Sequence, residues 1–186
     1  MKRYQPYCDF PAHGKNIAAL SKMLWMLNSN IADHFEFTPI VVFEAFTIES
    51  YLNTIGSEHV VIWDELERLP WKKKISVLHK LAGRKEDWGK EPLQFAKEVF
   101  QIRDRLAHGK PERIEGKMFS TREEAEKVLG TMEMEPDWYK KITKQWCIDS
   151  KDRFENLMVY LGGLYNFKHI GHRMAASGGV IEHDID

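Results

Sequence analysis

The chain has 186 residues, of which 43% are hydrophobic and 30% charged, and its formal net charge is −1. These values are typical of a one-domain globular protein and exclude a global basic field, so nucleic-acid binding would need a local patch or a groove between subunits. No stretch approaches the roughly 18 apolar residues of a membrane span, and no apolar signal core follows the first residues. Two cysteines without paired spacing are expected to be free thiols, in a cytoplasmic protein that does not contact a membrane.

Helical spacing and end signals predict the first half of the chain. Residues 1–14 are expected to be an irregular segment, because prolines and a glycine interrupt them. A first helix is predicted over residues 16–35. A second begins at Thr38-Pro39, a capping residue followed by proline at the first helical position, and ends at Gly56. It is apolar around most of its circumference, which places it at the centre of the fold.

The remaining helices also begin at proline or at capping residues. They are predicted over residues 63–66, 70–83, 92–108, 121–129 and 136–165, with a loop over 110–120. Residues 168–186 are glycine-rich and polar and are expected to form a mobile tail. Alternating β-branched runs are few, so the sequence indicates an all-α fold, a bundle of five or six helices over residues 15–167. The C-terminal histidines match no closed metal site, and neither a metal nor a cofactor is expected.

The fifth predicted helix ends in a charged stretch, Arg103-Asp104-Arg105-Leu106-Ala107-His108-Gly109. On a helical wheel Arg103 falls near the middle of the apolar half. A guanidinium there is costly unless it is paired, or unless that face meets a groove or another subunit. Histidine titrates near neutral pH and arginine grips phosphate, so the pair indicates phosphodiester cleavage. The alternative is an ordinary helix end, where the helix dipole favours cations.

The spacing of Arg103 and His108 favours a dimer. Five residues apart, the two side chains point about 140° apart on a continuous helix, so one copy does not aim both at one phosphate. Two copies related by a two-fold axis can do so in a shared groove. Asp104 precedes His108 by one turn, where it can hydrogen-bond to the ring and fix its tautomer.

The segment Ile102–Gly109, with its Arg103-Asp104-x-x-x-His108 pattern, resembles the signature of the HEPN superfamily (higher eukaryotes and prokaryotes nucleotide-binding). The upstream helix over Phe43–Asn53 resembles the family's early helix, an apolar run that bears an acid and a terminal asparagine. The resemblance covers roughly residues 15–165. It implies a helical bundle that dimerises and, in active members, a metal-independent endoribonuclease.

The roles that this resemblance implies are those of a cleavage assisted by the RNA itself. The 2′-OH would attack the phosphate, His108 would act as general base or acid, Arg103 would hold the scissile phosphate, and Asp104 would orient either of them. The products would be a 2′,3′-cyclic phosphate and a 5′-hydroxyl. The expected partners are RNA, a second copy of the chain and an antitoxin or other partner protein, in toxin–antitoxin, stress or phage-defence systems.

Further residues are assigned around this centre. Flanking phosphates are expected to contact Arg105, Lys110 and Arg113. Glu49 and Asn53 are predicted to brace Arg103; the alternative is that Glu49 is a core acid that only satisfies the arginine's charge. Lys72-Lys73-Lys74 is interpreted as a solvated helix face, with RNA contact as the alternative. The six tryptophans are interpreted as core or interface anchors rather than base-stacking platforms.

Two rival hypotheses remain open at the level of sequence. One is a non-catalytic module that uses the same fold for dimerisation, nucleotide binding or protein interaction. The other is a plain structural helical protein.

Overall fold

A computed structural model describes residues 2–28, 37–130, 134–167 and 177–184. In chain order these residues form β1 (Lys2–Asp9), α1 (Ala12–Asn28), α2 (Thr38–His59), α3 (Trp63–Leu66), α4 (Trp71–Leu81), α5 (Leu93–His108), α6 (Arg122–Gly130), α7 (Asp137–Lys140), α8 (Lys144–Gly163) and β2 (Ser177–Asp184). The mostly helical class is therefore confirmed. None of these helices combines the length and apolarity that crossing a membrane requires.

Helix α2 lies at the centre, as its apolar circumference predicts. It packs against α1, α4, α5 and α8, and its buried residues, from Thr47 on one edge through Ile40 to Ala45 on the other, cover about half of its circumference. The helix begins at Thr38 with the proline in its first turn, as predicted, but Phe37 occupies the capping position and Thr38 does not cap the helix. Because α2 packs directly against α5, its side chains can hold the polar residues of α5 in place.

The predicted end of α2 at Gly56 is wrong. The helix continues to His59 and ends at Val60, whose backbone is extended. Gly56 is instead a buried helical residue against which the Trp63 indole packs, so that a Cβ at this position would overlap the ring. The glycine is needed for close packing rather than for a left-handed helix end.

The single helix predicted over residues 136–165 is also wrong, because the structure divides it into α7 and α8. Thr143 has extended backbone angles, and its side chain accepts a hydrogen bond from the Trp146 backbone N–H at 3.1 Å. It is therefore the capping residue of a new helix. This break places the short α7 beside the end of α5.

Residues 2–9, predicted to be irregular, form a strand that pairs antiparallel with Ser177–Asp184, part of the predicted mobile tail. The Tyr7 ring covers Gly179 on the paired strand, where a Cβ would come within 2.9 Å of the ring. The two strands are far apart in sequence, so no pattern of neighbouring residues predicts that they pair. Residues 168–176, and the part of the predicted first helix beyond Asn28, lie outside the described residues.

Candidate functional site

Helix α5 carries the predicted site on the rim of its buried face. Its inward side chains, such as Phe95, Val99 and Phe100, are fully buried, and the helix packs against α2 and α8. Arg103 follows on the same side, but 21% of its side chain remains exposed. The wheel position predicted for this arginine is therefore confirmed, and its guanidinium lies where core meets solvent.

Two carboxylates and an aromatic ring hold the Arg103 guanidinium. Its Nη2 atom lies 3.6 Å from Glu49 Oε2, and its Nη1 atom lies 3.3 Å from Asp104 Oδ1. Its centre lies 5.1 Å from the centroid of the Phe100 ring. The charge is thus compensated within the chain, as a guanidinium among apolar neighbours requires. The contact with Glu49 agrees with both hypotheses for that residue, a brace for a functional arginine and a core acid that satisfies it.

Lys74 of α4 contacts the other oxygen of the Glu49 carboxylate from the buried side. Its side chain is only 2% exposed, and its Nζ atom lies 3.3 Å from Glu49 Oε1. The interpretation of Lys72–Lys74 as a solvated face is therefore wrong for Lys74. The signal was available in the spacing, because Lys74 precedes the inward-facing Leu78 by four residues and shares its side of α4.

Two buried polar atoms around Glu49 have no hydrogen-bond partner among the described residues. They are Oδ1 of Asn53, one turn after Glu49 on α2, and Nε of Arg103. The predicted brace from Asn53 to Arg103 is therefore not formed as a hydrogen bond here. Unsatisfied buried polar atoms cost about 1–3 kcal/mol each, so both atoms are places where a hydrogen-bonding group of the right kind would be stabilising.

His108 is the last residue of α5 and is exposed. No hydrogen bond or ion pair joins it to another described residue, and Asp104 contacts Arg103 rather than the imidazole. Of the two roles predicted for Asp104, the structure therefore shows contact with the arginine. Gly109 ends the helix as predicted, and its N–H donates to the Arg105 carbonyl oxygen at 2.8 Å.

The cations predicted to bind flanking phosphates lie around the end of α5. The Arg105 guanidinium lies 5.5 Å from the centroid of the Trp138 ring. Lys110 and Arg113 are exposed in the segment between α5 and α6. Beside Arg105 a groove of about 570 Å³ runs between α5 and the region of α7, and Trp138 and Lys141 line its far side. Sequence reasoning missed both residues of this far side, because they come from a distant part of the chain.

Comparison with known protein families, with curated proteins and with solved structures finds no match to this chain.

A second polar cluster lies deep in the core and was not predicted. Glu44 of α2 is fully buried, with its Oε1 atom 2.6 Å from the Ser150 hydroxyl of α8. Burial raises its pKa from 4.5 to about 8. Burial also raises the pKa of the neighbouring Cys147 thiol to about 12, so this thiol is not a nucleophile at neutral pH. Both cysteines are free, as predicted.

The arrangement on α5 offers two chemical capabilities. Arg103 is held in one orientation with part of its surface open, which suits an anion such as phosphate. His108 is open to solvent and suits proton transfer. The described residues contain no group of three or more histidine, cysteine, aspartate or glutamate side chains that could hold a metal ion.

Proposed function

We propose that this protein is a metal-independent endoribonuclease of the HEPN type that acts as a homodimer. The observation that supports the proposal is the environment of Arg103. Glu49 holds its guanidinium from the core side, and 21% of the side chain is still exposed. The same helix ends five residues later in the exposed His108.

The proposed chemistry is an attack by the RNA's own 2′-OH on the adjacent phosphate. The bond from the 2′-oxygen to phosphorus forms, and the bond from phosphorus to the 5′-oxygen breaks. The His108 imidazole that faces the 2′-OH accepts its proton, and the departing 5′-oxygen takes a proton from this imidazolium or from water. Arg103 stabilises the charge that builds on the phosphate. The products are a 2′,3′-cyclic phosphate and a 5′-hydroxyl.

Asp104 and Glu49 play different parts in this proposal. The Asp104 side chain is 50% exposed and lies on the solvent side of the guanidinium. A bound phosphate replaces its contact with Arg103, while Glu49, which Lys74 also contacts, keeps the arginine in place. Arg105, Lys110 and Arg113 supply contacts to the flanking phosphates.

The second copy follows from helix geometry. On one α5, Arg103 and His108 lie about 140° apart and about 7.5 Å apart along the axis. A two-fold axis beside the end of α5 brings the arginine of one copy towards the histidine of the other. The Nε–H of Arg103 has no acceptor among the described residues, and an oxygen of a bound phosphate, or an acceptor of the second copy, would supply one. Oδ1 of Asn53 needs a donor, which a phosphodiester lacks.

The test is cleavage of a labelled single-stranded RNA in the presence of a chelator, beside a DNA strand of the same sequence. We expect the wild type to cut the RNA and leave the DNA, and Arg103→Ala and His108→Ala to cut at least about 100-fold more slowly. Arg122→Ala and His183→Ala are matched controls on exposed residues outside the site. Equal inertness of all variants would favour a non-catalytic interaction module, and loss of cleavage on chelation would contradict metal independence.

The cellular role belongs to the same proposal. An RNA-cleaving protein of this kind in a toxin–antitoxin or phage-defence system inhibits growth unless a partner protein neutralises it. Expression of the wild type is then expected to slow growth, and His108→Ala is expected to relieve the effect. Growth inhibition by both forms alike would argue against cleavage as its cause.

A further inference from the structure

The groove beside α5 follows one stripe of the helix. Gln94, Lys97, Gln101 and Arg105 line it, and each follows the previous one by three or four residues, so they lie one above another on the same side. His108 comes three residues after Arg105 and continues the stripe. The lining of the groove on α5 ends at Arg105, and the same stripe of the helix reaches the proposed proton-transfer residue about one turn later.

The opposite side of the groove carries an aromatic platform. Trp138 lies on α7, and the Arg105 guanidinium lies 5.5 Å from the centroid of its ring. Its indole N–H donates a hydrogen bond to Glu112 Oε1 at 3.2 Å. Two separate contacts thus orient the indole, which is still partly exposed. Trp138 also packs against the hydrophobic core, as the sequence suggested for the tryptophans, and the exposed part of its ring faces the groove.

Two acids line the groove, and each forms an ion pair with an arginine that lies outside the lining. Glu98 Oε2 lies 2.8 Å from an Arg153 guanidinium nitrogen, and Asp104 Oδ1 lies 3.3 Å from Arg103. Neither arginine belongs to the lining of the groove. Even when a phosphate displaces Asp104 from Arg103, the lining keeps three cations against this one acid, so its charge towards a ligand is positive.

That positive charge comes from three side chains of the lining, Lys97, Arg105 and Lys141. Lys97 and Lys141 form no ion pair with any described residue, and both are exposed. Cations that follow a groove together with an aromatic face are the combination by which proteins bind single-stranded nucleic acid. An acidic peptide would use the cations but would gain little from the indole.

We infer that this groove binds a single-stranded RNA segment next to the scissile phosphate, with one base stacked on Trp138 and the backbone along Lys97 and Lys141. The Arg105 guanidinium now lies over the Trp138 ring, so the base takes its place on the indole and the planar guanidinium stacks on the outer face of the base. A volume of about 570 Å³ is within the range of sites that hold a ligand of nucleotide size. The inference rests on the proposed function only for where the RNA is cut; the binding itself stands apart from cleavage.

The test uses a labelled 2′-O-methyl RNA octamer, which binds like RNA but has no free 2′-OH to react. Fluorescence anisotropy measures its Kd for the wild type, Trp138→Ala, Trp138→Phe and Trp25→Ala, a matched control whose indole is 63% exposed outside the groove. We expect Trp138→Ala to raise Kd about tenfold or more, because a stacked base is lost. Trp138→Phe keeps an aromatic face and is expected to stay within about threefold, and Trp25→Ala is expected to change nothing.

A second variant guards against a folding defect in Trp138→Ala. The double variant Lys97→Gln/Lys141→Gln changes only exposed side chains and is expected to reduce the slope of log Kd against log salt by about 1.4, for two lost phosphate contacts. An unchanged Kd for Trp138→Ala overturns the inference, and so does an unchanged slope for the double variant. Equally tight binding of polyglutamate and the octamer, with no effect of Trp138→Ala on either, identifies an acidic-peptide site and also overturns it.

The two proposals fail in different ways. If the wild type does not cleave RNA, and neither do Arg103→Ala and His108→Ala, but Trp138→Ala weakens binding of the octamer, the nuclease proposal is wrong and the RNA-binding groove remains supported. If cleavage depends on Arg103 and His108 but Trp138→Ala binds the octamer like the wild type, the groove falls and the nuclease stands.

Discussion

The Nζ atom of Lys74 on α4 lies 3.3 Å from Oε1 of Glu49 on α2, and the lysine side chain is only 2% exposed. The other oxygen of the same carboxylate lies 3.6 Å from Arg103 on α5. The Glu49 carboxylate therefore contacts cations from two other helices. Lys74 is buried whereas Arg103 is partly exposed, so Lys74 depends more on the Glu49 charge than Glu49 depends on Lys74.

Glu49→Gln is expected to destabilise the protein more than Lys74→Met. Removing the carboxylate leaves a buried ammonium without a counter-ion, which costs about 3 kcal/mol or more. Removing the ammonium leaves Glu49 with Arg103 as a partner and 35% of its side chain exposed, so the loss is expected to be about 1 kcal/mol. Urea unfolding monitored by circular dichroism measures both free energies of unfolding.

The double variant Glu49→Gln/Lys74→Met completes this cycle. Because it removes both charges, its loss is expected to be smaller than the sum of the two single losses. Equal losses in the two single variants, with simple additivity in the double variant, would show that the 3.3 Å contact contributes nothing to stability.

A mixture of Arg103→Ala and His108→Ala chains tests the composite site directly. In a mixed dimer, the first chain still has His108 and the second still has Arg103. If the two groups meet across the subunit interface, one site is restored, and the mixture cleaves RNA although neither variant does so alone. If both groups act within one chain, the mixture is as inactive as its components. The measurement is the cleavage rate against mixing ratio, after unfolding and refolding the chains together.

Local signals predicted α5 well. A proline marks its beginning and Gly109 its end, and its apolar spacing identifies the buried face. The same spacing placed Arg103 among apolar neighbours, from which its need for a counter-charge followed. Glu49 could be proposed as a partner because it lies with Asn53 beside the apolar side chains of α2, but the sequence left open whether it braces Arg103 or only satisfies its charge.

What the sequence could not supply are contacts between distant segments. Trp138 reaches Arg105 only because Thr143 begins a new helix and leaves α7 beside the end of α5. The spacing of α4 places Lys74 on the inward side of that helix, but its contact with Glu49 depends on how α4 lies against α2. Capping residues and periodicity describe single helices, whereas these contacts are decided by the packing between them.

Gly56→Ala is expected to destabilise the protein, although alanine is normally favoured over glycine inside a helix by about 1 kcal/mol. The added Cβ would overlap the Trp63 indole, which is 2% exposed and has little room to move. We expect a loss of about 1–3 kcal/mol, as for other overpacked cores. Thermal unfolding measures it.

The matched control for this change is Gly163→Ala at the end of α8. A Cβ at Gly163 has no heavy atom within 4 Å, so the substitution is expected to be neutral or slightly stabilising. A stabilising effect at both positions would mean that the indole of Trp63 yields without cost.

The proton count at Ser150 points to a neutral Glu44. The Ser150 Oγ atom lies 2.6 Å from Glu44 Oε1 and 2.9 Å from the Cys147 carbonyl oxygen, but the hydroxyl has only one proton to donate. A protonated Glu44 donates to the hydroxyl oxygen, and the hydroxyl then donates to the carbonyl. This arrangement agrees with the burial that raises the pKa of Glu44 to about 8.

Glu44→Gln is therefore expected to make stability less dependent on pH. In the wild type the pKa of Glu44 rises from 4.5 to about 8 on folding, so the folded state holds the proton more tightly. Its contribution to stability is full below pH 4.5 and is lost as the pH rises to about 8, at up to about 1.4 kcal/mol per pH unit. Glutamine keeps the shape of the neutral acid and cannot ionise, so the advantage of the variant grows from pH 5 to pH 8. Urea unfolding at pH 5, 6, 7 and 8 measures this difference in the free energy of unfolding. Glu115→Gln, at an exposed position, is the control. A constant difference between wild type and Glu44→Gln would mean that Glu44 is already ionised in the folded core.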